Sequence, residues 1–239
     1  MGTLFGIHSV VEALKAGRTF DRVLIARGAA GARLQEIIDL CRAASIPVRF
    51  EPRGSLDRQA GGGAHQGVVA FGAAHRYAEL GDVALGAKML VVLDGVEDPH
   101  NLGAVVRTAH AAGARAVVIP ERRAVGMTET VAKASAGALE HLPVVRVGNL
   151  NRALEDLKER GFWIYGLDAQ AEAAYDRTDY SSPAVFVLGG EGHGLHQQVK
   201  QHCDLLVRIP MAGKIASLNV SVAAGVMLFE WKRRQSGAE

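Results

Sequence analysis

The sequence predicts an α/β protein in two parts, a small N-terminal α/β unit followed by a larger domain built on a mostly parallel sheet. Three observations carry this. From residue 89 onward, short runs rich in Val, Ile and Leu alternate with segments of helical period, the pattern of buried parallel strands separated by helices. Residues 73–88 lose that period in a polar, Gly/Ala-rich stretch that reads as a linker. The length, 239 residues, suits one large domain or two modest ones. The division expected is therefore 1–72, a linker over 73–88, and 89–239.

In the first part a helix is expected over 8–16, a strand over 22–26 (RVLIA) and a helix over 31–45. In the second helix Leu34, Ile37, Ile38 and Cys41 fall at i, i+3, i+4 and i+7, one apolar stripe. A strand PVRF follows, then the Gly-rich loop GGGAH at 61–65 and the strand QGVVAFG. In the second part the order is MLVVLD, a helix over 102–112, AVVIP, a helix near 128–136, VVRV, a helix over 150–160 and FWIYGL. AVFVLGG, a short helix after Leu195, LLVRIP and a long helix over 217–234 complete it. In parallel sheets ligands sit beyond the carboxyl ends of the strands, so the loops after the strands are where chemistry is expected.

Composition narrows the function classes. Hydrophobic residues make up 49% and charged residues 22%, which excludes a disordered chain, a fibrous repeat or a membrane protein. Glycine, 28 of 239 residues, exceeds the usual ~7% and points to tight turns or to backbone lying against a cofactor. The net charge is +2, yet residues 1–80 hold ten Lys/Arg against seven Asp/Glu, weak support for an anionic partner there. Cys41 and Cys203 are the two cysteines and read as buried thiols, not a disulfide. The N-terminus lacks a signal-peptide layout and no apolar run approaches the ~18 residues of a membrane span, so a cytoplasmic protein is expected.

Three loops carry the candidate chemistry. The first, DGVEDPHNLGAVVRTAHAAGA, opens a helix on which Leu102, Val105, Val106 and Ala109 share one side. Arg107 points away, at 100° per residue, available to a substrate, to a partner chain or simply to solvent. Asp94, Glu97 and Asp98 are read as a helix cap and first-turn acids, and no metal is expected. The second, AVFVLGGEGHGL, runs a buried strand into glycines that would let a ligand lie against bare N–H groups. Its spacing is not that of the dinucleotide fingerprint, which argues against a nicotinamide-dependent dehydrogenase. His193, His196 and His202 lack the partners of a zinc site and read as surface histidines. The third, IPMAGKIASLNVSVAAGVMLFEWKRR, enters a helix that is apolar nearly all round, as a buried or partner-packed helix would be. Ser217 is expected as its N-cap, which leaves Asn219 and Ser221 in need of partners.

Together the three loops, N-L-G-x-x-x-R-T-A from Asn101, G-G-E-G-x-G-L from Gly189 and I-P-M-x-G-x-x-x-S-L-N-V-S-V-A from Ile209, closely resemble the signature motifs of the SpoU/TrmH family of RNA ribose 2'-O-methyltransferases. The resemblance spans about residues 89–231 and implies a trefoil-knotted, SPOUT-type α/β domain that binds S-adenosylmethionine. It also implies a homodimer whose site draws on both chains. G-I-H-S-V-x-E-A-L at 6–14 and A-H-Q-G at 64–67 resemble the ribosomal-protein-like substrate-binding domain of many members. With that domain, the nearest subtype methylates a guanosine ribose in large-subunit (23S) ribosomal RNA. Relatives acting on tRNA share the plan, and a catalytically silent RNA binder would have little use for the motif set.

By the same resemblance the catalytic residues are Asn101, Arg107, Glu191, Ser217 and Asn219. Leu188, Gly189, Gly190, Ile209, Met211, Ser217 and Leu218 would bind the methyl donor. The family role of the arginine is to help deprotonate the 2'-hydroxyl. Its pKa above ~12 makes it a poor base, and binding the adjacent phosphate and stabilising the alkoxide suits it better. Asn101 would orient the hydroxyl or the arginine. Glu191 would fix an arginine by a bidentate ion pair. The chain departs from the family pattern at Gly190, where relatives often carry Ser or Ala, and at Ile215-Ala216 before Ser217.

Overall fold

The structure is a computed structural model that describes residues 2–18, 20–72, 76–190, 192–214 and 217–236. The chain divides into two compact units, one of residues 1–76 with 127–141, the other of residues 77–126 with 142–239.

The first unit begins β1 (Gly2–Phe5), α1 (Ile7–Lys15), β2 (Phe20–Ala26), α2 (Ala32–Ala43), β3 (Val48–Glu51), α3 (Arg53–Gln59) and β4 (Val68–Gly72). Its four strands lie in the order β1-β4-β2-β3, with β2 and β3 parallel and the other pairs antiparallel. The predicted stripe of α2 is buried at Leu34, Ile37 and Cys41, and α1 packs on α2. The short β1 and α3 are additions to the sequence reading. The A-H-Q-G segment is a structural clasp. His65 is buried, its Nδ1 accepts the Gly67 N–H at 3.0 Å, and its Nε2 lies 2.9 Å from Asp57 Oδ1. Gln66 Oε1 accepts the Ile7 N–H at 3.1 Å, and Gly67 turns at φ +89°, a conformation that favours glycine.

The second unit holds α4 (Leu80–Ala84), β5 (Met89–Asp94), α5 (Pro99–Ala112) and β6 (Val117–Pro120). The segment 127–141, expected within the C-terminal domain, instead packs with the first unit and carries α6 (Glu129–Ala134). There Glu129 accepts the Thr3 N–H at 3.1 Å, and Arg18 pairs with Glu140 at 2.9 Å with both side chains largely buried. The chain returns for β7 (Val144–Val147), α7 (Leu150–Glu159), β8 (Trp163–Leu167), β9 (Ala173–Ala174) and β10 (Ala184–Gly189). It ends in α8 (Gln197–His202), β11 (Leu205–Arg208) and α9 (Val220–Ser236).

All seven strands of this unit are parallel, in the order β7-β6-β5-β10-β8-β11-β9. Central β5 is buried at all six positions, which is why it reads as an unbroken apolar run. Register places Leu93 beside Leu188 and Asp94 beside Gly189. The first two signature loops therefore leave the sheet from neighbouring points, beside the place where the strand order reverses.

The expected linker is corrected here. Residues 73–75 lie outside the described residues, but 77–88 are part of the second unit, with Val83, Ala84 and Ala87 buried in its core. A one-turn helix is too short to display a 3.6-residue period, and the Gly/Ala content masks it. The last helix begins at Val220, three residues later than expected.

Candidate functional site

Sequence-local signals position the site. Asp98 caps α5, its Oδ1 accepting the His100 N–H at 2.6 Å and the Asn101 N–H at 3.3 Å, with Pro99 in the first turn. Gly113 closes the helix at φ +88°. Leu102, Val105, Val106 and Ala109 are buried, which leaves Arg107 exposed on the other side. Among the described residues Arg107 makes no hydrogen bond or ion pair.

Asn219, rather than Ser217, caps α9: its Oδ1 accepts the Ser221 N–H at 2.9 Å and the Ser221 hydroxyl at 2.6 Å. Its Nδ2 donates to Asn101 Oδ1 at 2.9 Å, tying the start of α9 to the start of α5. Ser217 stands further back, exposed in the loop.

Beyond the carboxyl ends of β8, β10 and β11 lies a cavity of about 650 Å³. Leu188, Gly189 and Gly190 line it from the second loop, and Ile209, Met211, Ser217, Leu218 and Asn219 from the third. All seven expected donor-binding residues thus share one wall system. The glycines are required sterically. A Cβ on Gly189 would overlap the Gly194 carbonyl, and one on Gly190 would overlap the Gly95 carbonyl. Gly190 donates its N–H to the Asp94 carbonyl at 2.7 Å and accepts the Gly194 N–H at 3.2 Å, so the loop folds tightly over the end of β5. Glu191 lies outside the described residues.

A second cavity of about 680 Å³ contains Asn101, Asp98, Arg123 and His196 and shares Gly190, His193, Gly194 and Val220 with the first. Arg107 lines neither. His196 is exposed, as the sequence reading expected, but it also makes contacts that reading did not foresee. Buried Asp94 accepts the His196 N–H at 2.8 Å and lies 2.9 Å from Nδ1, while Arg123 Nη1 stands 3.4 Å from Nε2. Asp94 thus latches the second loop to the end of β5, beyond a capping role.

The sequence reading also passed over Asp168 and Lys200, an ion pair on the wall of the first cavity. Burial acts to raise the Asp168 carboxyl, but the hydrogen bonds from Lys200 and from the Gln170 N–H outweigh it and hold the group below its ordinary value. The available signal was position: Asp94 ends the buried strand β5 and Asp168 directly follows β8, in VVLD and IYGLD. Cys41 is fully buried as expected, its thiol pushed up to about 11 by burial. Cys203 is half-buried and pushed up to about 12 by the same cause. Among the described residues no group of His, Cys, Asp and Glu is placed to hold a metal, and no helix is long and apolar enough to cross a membrane.

A parallel sheet with a cofactor-sized cavity at its carboxyl edge, walled by glycine backbone and closed by an Asn-capped helix, defines an α/β protein built to hold a small ligand across three loops. The chain belongs to the SpoU rRNA Methylase family, whose model matches residues 88–229. A second model, for RNA 2'-O ribose methyltransferase substrate binding, matches residues 3–78.

Among curated relatives, YacO of Bacillus subtilis (strain 168), named for the TrmH family of tRNA/rRNA methyltransferases, is 46% identical, the match covering 98% of this chain and 96% of that one. The 23S rRNA (guanosine-2'-O-)-methyltransferase RlmB of Xylella fastidiosa (strain 9a5c) is 45% identical, with 98% and 96% covered. An AdoMet-bound rRNA methyltransferase from Sinorhizobium meliloti superposes with a TM-score of 0.83 at 26% identity, covering 98% of this chain and 87% of that one. AviRb from Streptomyces viridochromogenes, also in complex with AdoMet, gives 0.84 at 23% identity, covering 98% and 90%, a likeness of fold.

Proposed function

We propose that the protein transfers a methyl group from S-adenosylmethionine to the ribose 2'-hydroxyl of a guanosine in 23S ribosomal RNA, acting in the cytoplasm as a homodimer with a trefoil-knotted C-terminal domain. The observation that carries this reading is that the second and third signature loops wall one cavity while the first meets them in the adjoining one, in a member of this family. At about 650 Å³ the cavity falls within the ~300–1,000 Å³ typical of cofactor sites. Its glycine walls expose backbone groups that could hold an adenosine, so the residues fit the donor. When bound, the donor supplies an activated sulfonium methyl, which needs no metal.

The protein's own residues then have positioning and electrostatic work to do. The Asn219–Asn101 pair stands where the two cavities meet and would orient the ribose hydroxyl, with Ser217 beside it. Arg107 would bind the neighbouring phosphate and stabilise the developing alkoxide. Because Arg107 lines neither cavity of its own chain, it serves the site of a second copy in this reading. Glu191 would hold an arginine in place. Val222 and Phe229, seven residues apart on α9, expose apolar side chains, 51% and 46% accessible, which supports pairing of two copies there. The first unit would grip the RNA.

Mapping ribose methylation by mass spectrometry in RNA from cells with and without the gene tests the substrate. Loss of one methyl from a guanosine of 23S rRNA is expected. Loss from a tRNA would keep the chemistry and replace the substrate, the outcome that the tRNA/rRNA naming of the B. subtilis relative makes worth measuring. No change in any RNA would overturn the enzymatic reading.

A further inference from the structure

Asp168 and Lys200 form an ion pair whose purpose the three signature loops do not explain. Asp168 directly follows β8, and its N–H donates to the Val207 carbonyl at 2.9 Å, pinning it between β8 and β11. Its Oδ1 accepts the Gln170 N–H at 2.8 Å, and Oδ2 contacts Lys200 Nζ on α8. The side chains are 10% and 26% exposed, and both groups line the 650 Å³ cavity. An ion pair partly withdrawn from water adds little net stability, because desolvation offsets much of the attraction. Placed on a cavity wall, it can instead exchange part of its mutual attraction for a ligand that carries the same two charges.

We propose that Asp168 and Lys200 recognise the amino-acid end of the methyl donor, Asp168 receiving the α-ammonium and Lys200 the α-carboxylate. The inference rests on the donor reading above and extends it to residues outside the signature loops. Hydrogen bonds from Lys200 and Gln170 keep the Asp168 carboxyl below its ordinary value against the effect of burial, so it is ionised at neutral pH. A carboxylate at a strand end could alternatively accept ribose hydroxyls, as in dinucleotide folds. A ribose, however, offers no anion for Lys200. The paired charges match a zwitterion.

Calorimetric titration of the full-length protein separates these cases through ligands that lack one group at a time. For S-adenosylmethionine and S-adenosylhomocysteine, Asp168→Asn and Lys200→Met should each weaken binding about tenfold or more, the loss of a charge-assisted hydrogen bond. With decarboxylated S-adenosylmethionine the Lys200→Met penalty should vanish while the Asp168→Asn penalty persists. With 5'-methylthioadenosine, which has no amino-acid end, both variants should bind as the parent does. Equal losses for all four ligands would overturn the proposal in favour of a ribose contact or a collapsed wall, and no loss for any would overturn it outright. A parent protein that binds none of the four would remove the donor reading itself, an outcome distinct from either. Should Asp168→Asn fail to fold, Lys200→Met with the decarboxylated ligand decides alone.

Discussion

The side chain of Asn219 does two jobs at once: its Oδ1 caps α9 through the Ser221 N–H, and its Nδ2 donates to Asn101 Oδ1 at 2.9 Å. Cap and bridge can be separated by mutation. Asn219→Ser keeps a capping oxygen but is too short to reach Asn101, so it should melt within about 0.5 kcal/mol of the parent yet lose most methyl transfer. Asn219→Ala should also lose about 1 kcal/mol, the usual cost of a missing cap. Thermal melts and transfer of label from S-adenosylmethionine check both, and a fully active Asn219→Ser protein would count against the bridge as a catalytic device.

Arg107 is exposed on α5 and makes no bond within its own chain among the described residues. Arg107→Ala should therefore leave the melting temperature unchanged within about 0.5 kcal/mol, as for most surface substitutions. Activity should fall on the order of 10²-fold, the scale of a lost oxyanion-stabilising donor. Arg107→Lys restores the charge but not the planar fork and should recover part of the loss. Mixing the inactive Arg107→Ala with an inactive Asn219→Ala should regain activity where the site borrows Arg107 from a second copy. No regain would assign each arginine to its own chain.

Backbone crowding makes a third prediction. A Cβ on Gly190 would overlap the Gly95 carbonyl. Gly190→Ala should cost about 1–3 kcal/mol as the first loop shifts, and it should weaken donor binding in parallel. A neutral melt would mean that the loop after β5 yields freely, contrary to its anchoring by Asp94 and the Gly190 N–H.

What could be read in advance follows from the range of each signal. The parallel sheet was legible because β5 and β10 are buried on both faces, so their sequences are unbroken apolar runs. The cavity residues were legible through the resemblance of the loops to the family's motifs, which carries each role onto a position after a strand. Hidden from that reading were contacts between distant segments: Asp94 with His196, Asp168 with Lys200, and the return of residues 127–141 to the first unit. The pairs span 102 residues for Asp94–His196 and 122 for Arg18–Glu140, and neither periodicity nor local propensity encodes such a distance. Asn219 shows the boundary within one residue, since its capping role is local and its bond to Asn101 is not.

The end of α9 supplies a prediction with a definite pH dependence. Glu230 accepts from Arg233 at 2.8 and 2.9 Å and from Arg234 at 2.6 Å. The Arg233 hydrogen bonds, with Arg234 in support and against the effect of burial, lower its carboxyl to about 2 from the usual 4.5. A group whose folded value is depressed stabilises the fold above its unfolded value and loses that contribution as pH falls through the folded one. Arg233 is 69% exposed, so solvent screening keeps the effect small, and Glu230→Gln should lower the melting temperature at pH 7 by about 2 °C. That gap should narrow between pH 4.5 and 2 and close below it. Melting curves of the two proteins across this window decide the matter: a gap that stays constant would assign Glu230 a packing role on α9 in place of an electrostatic one.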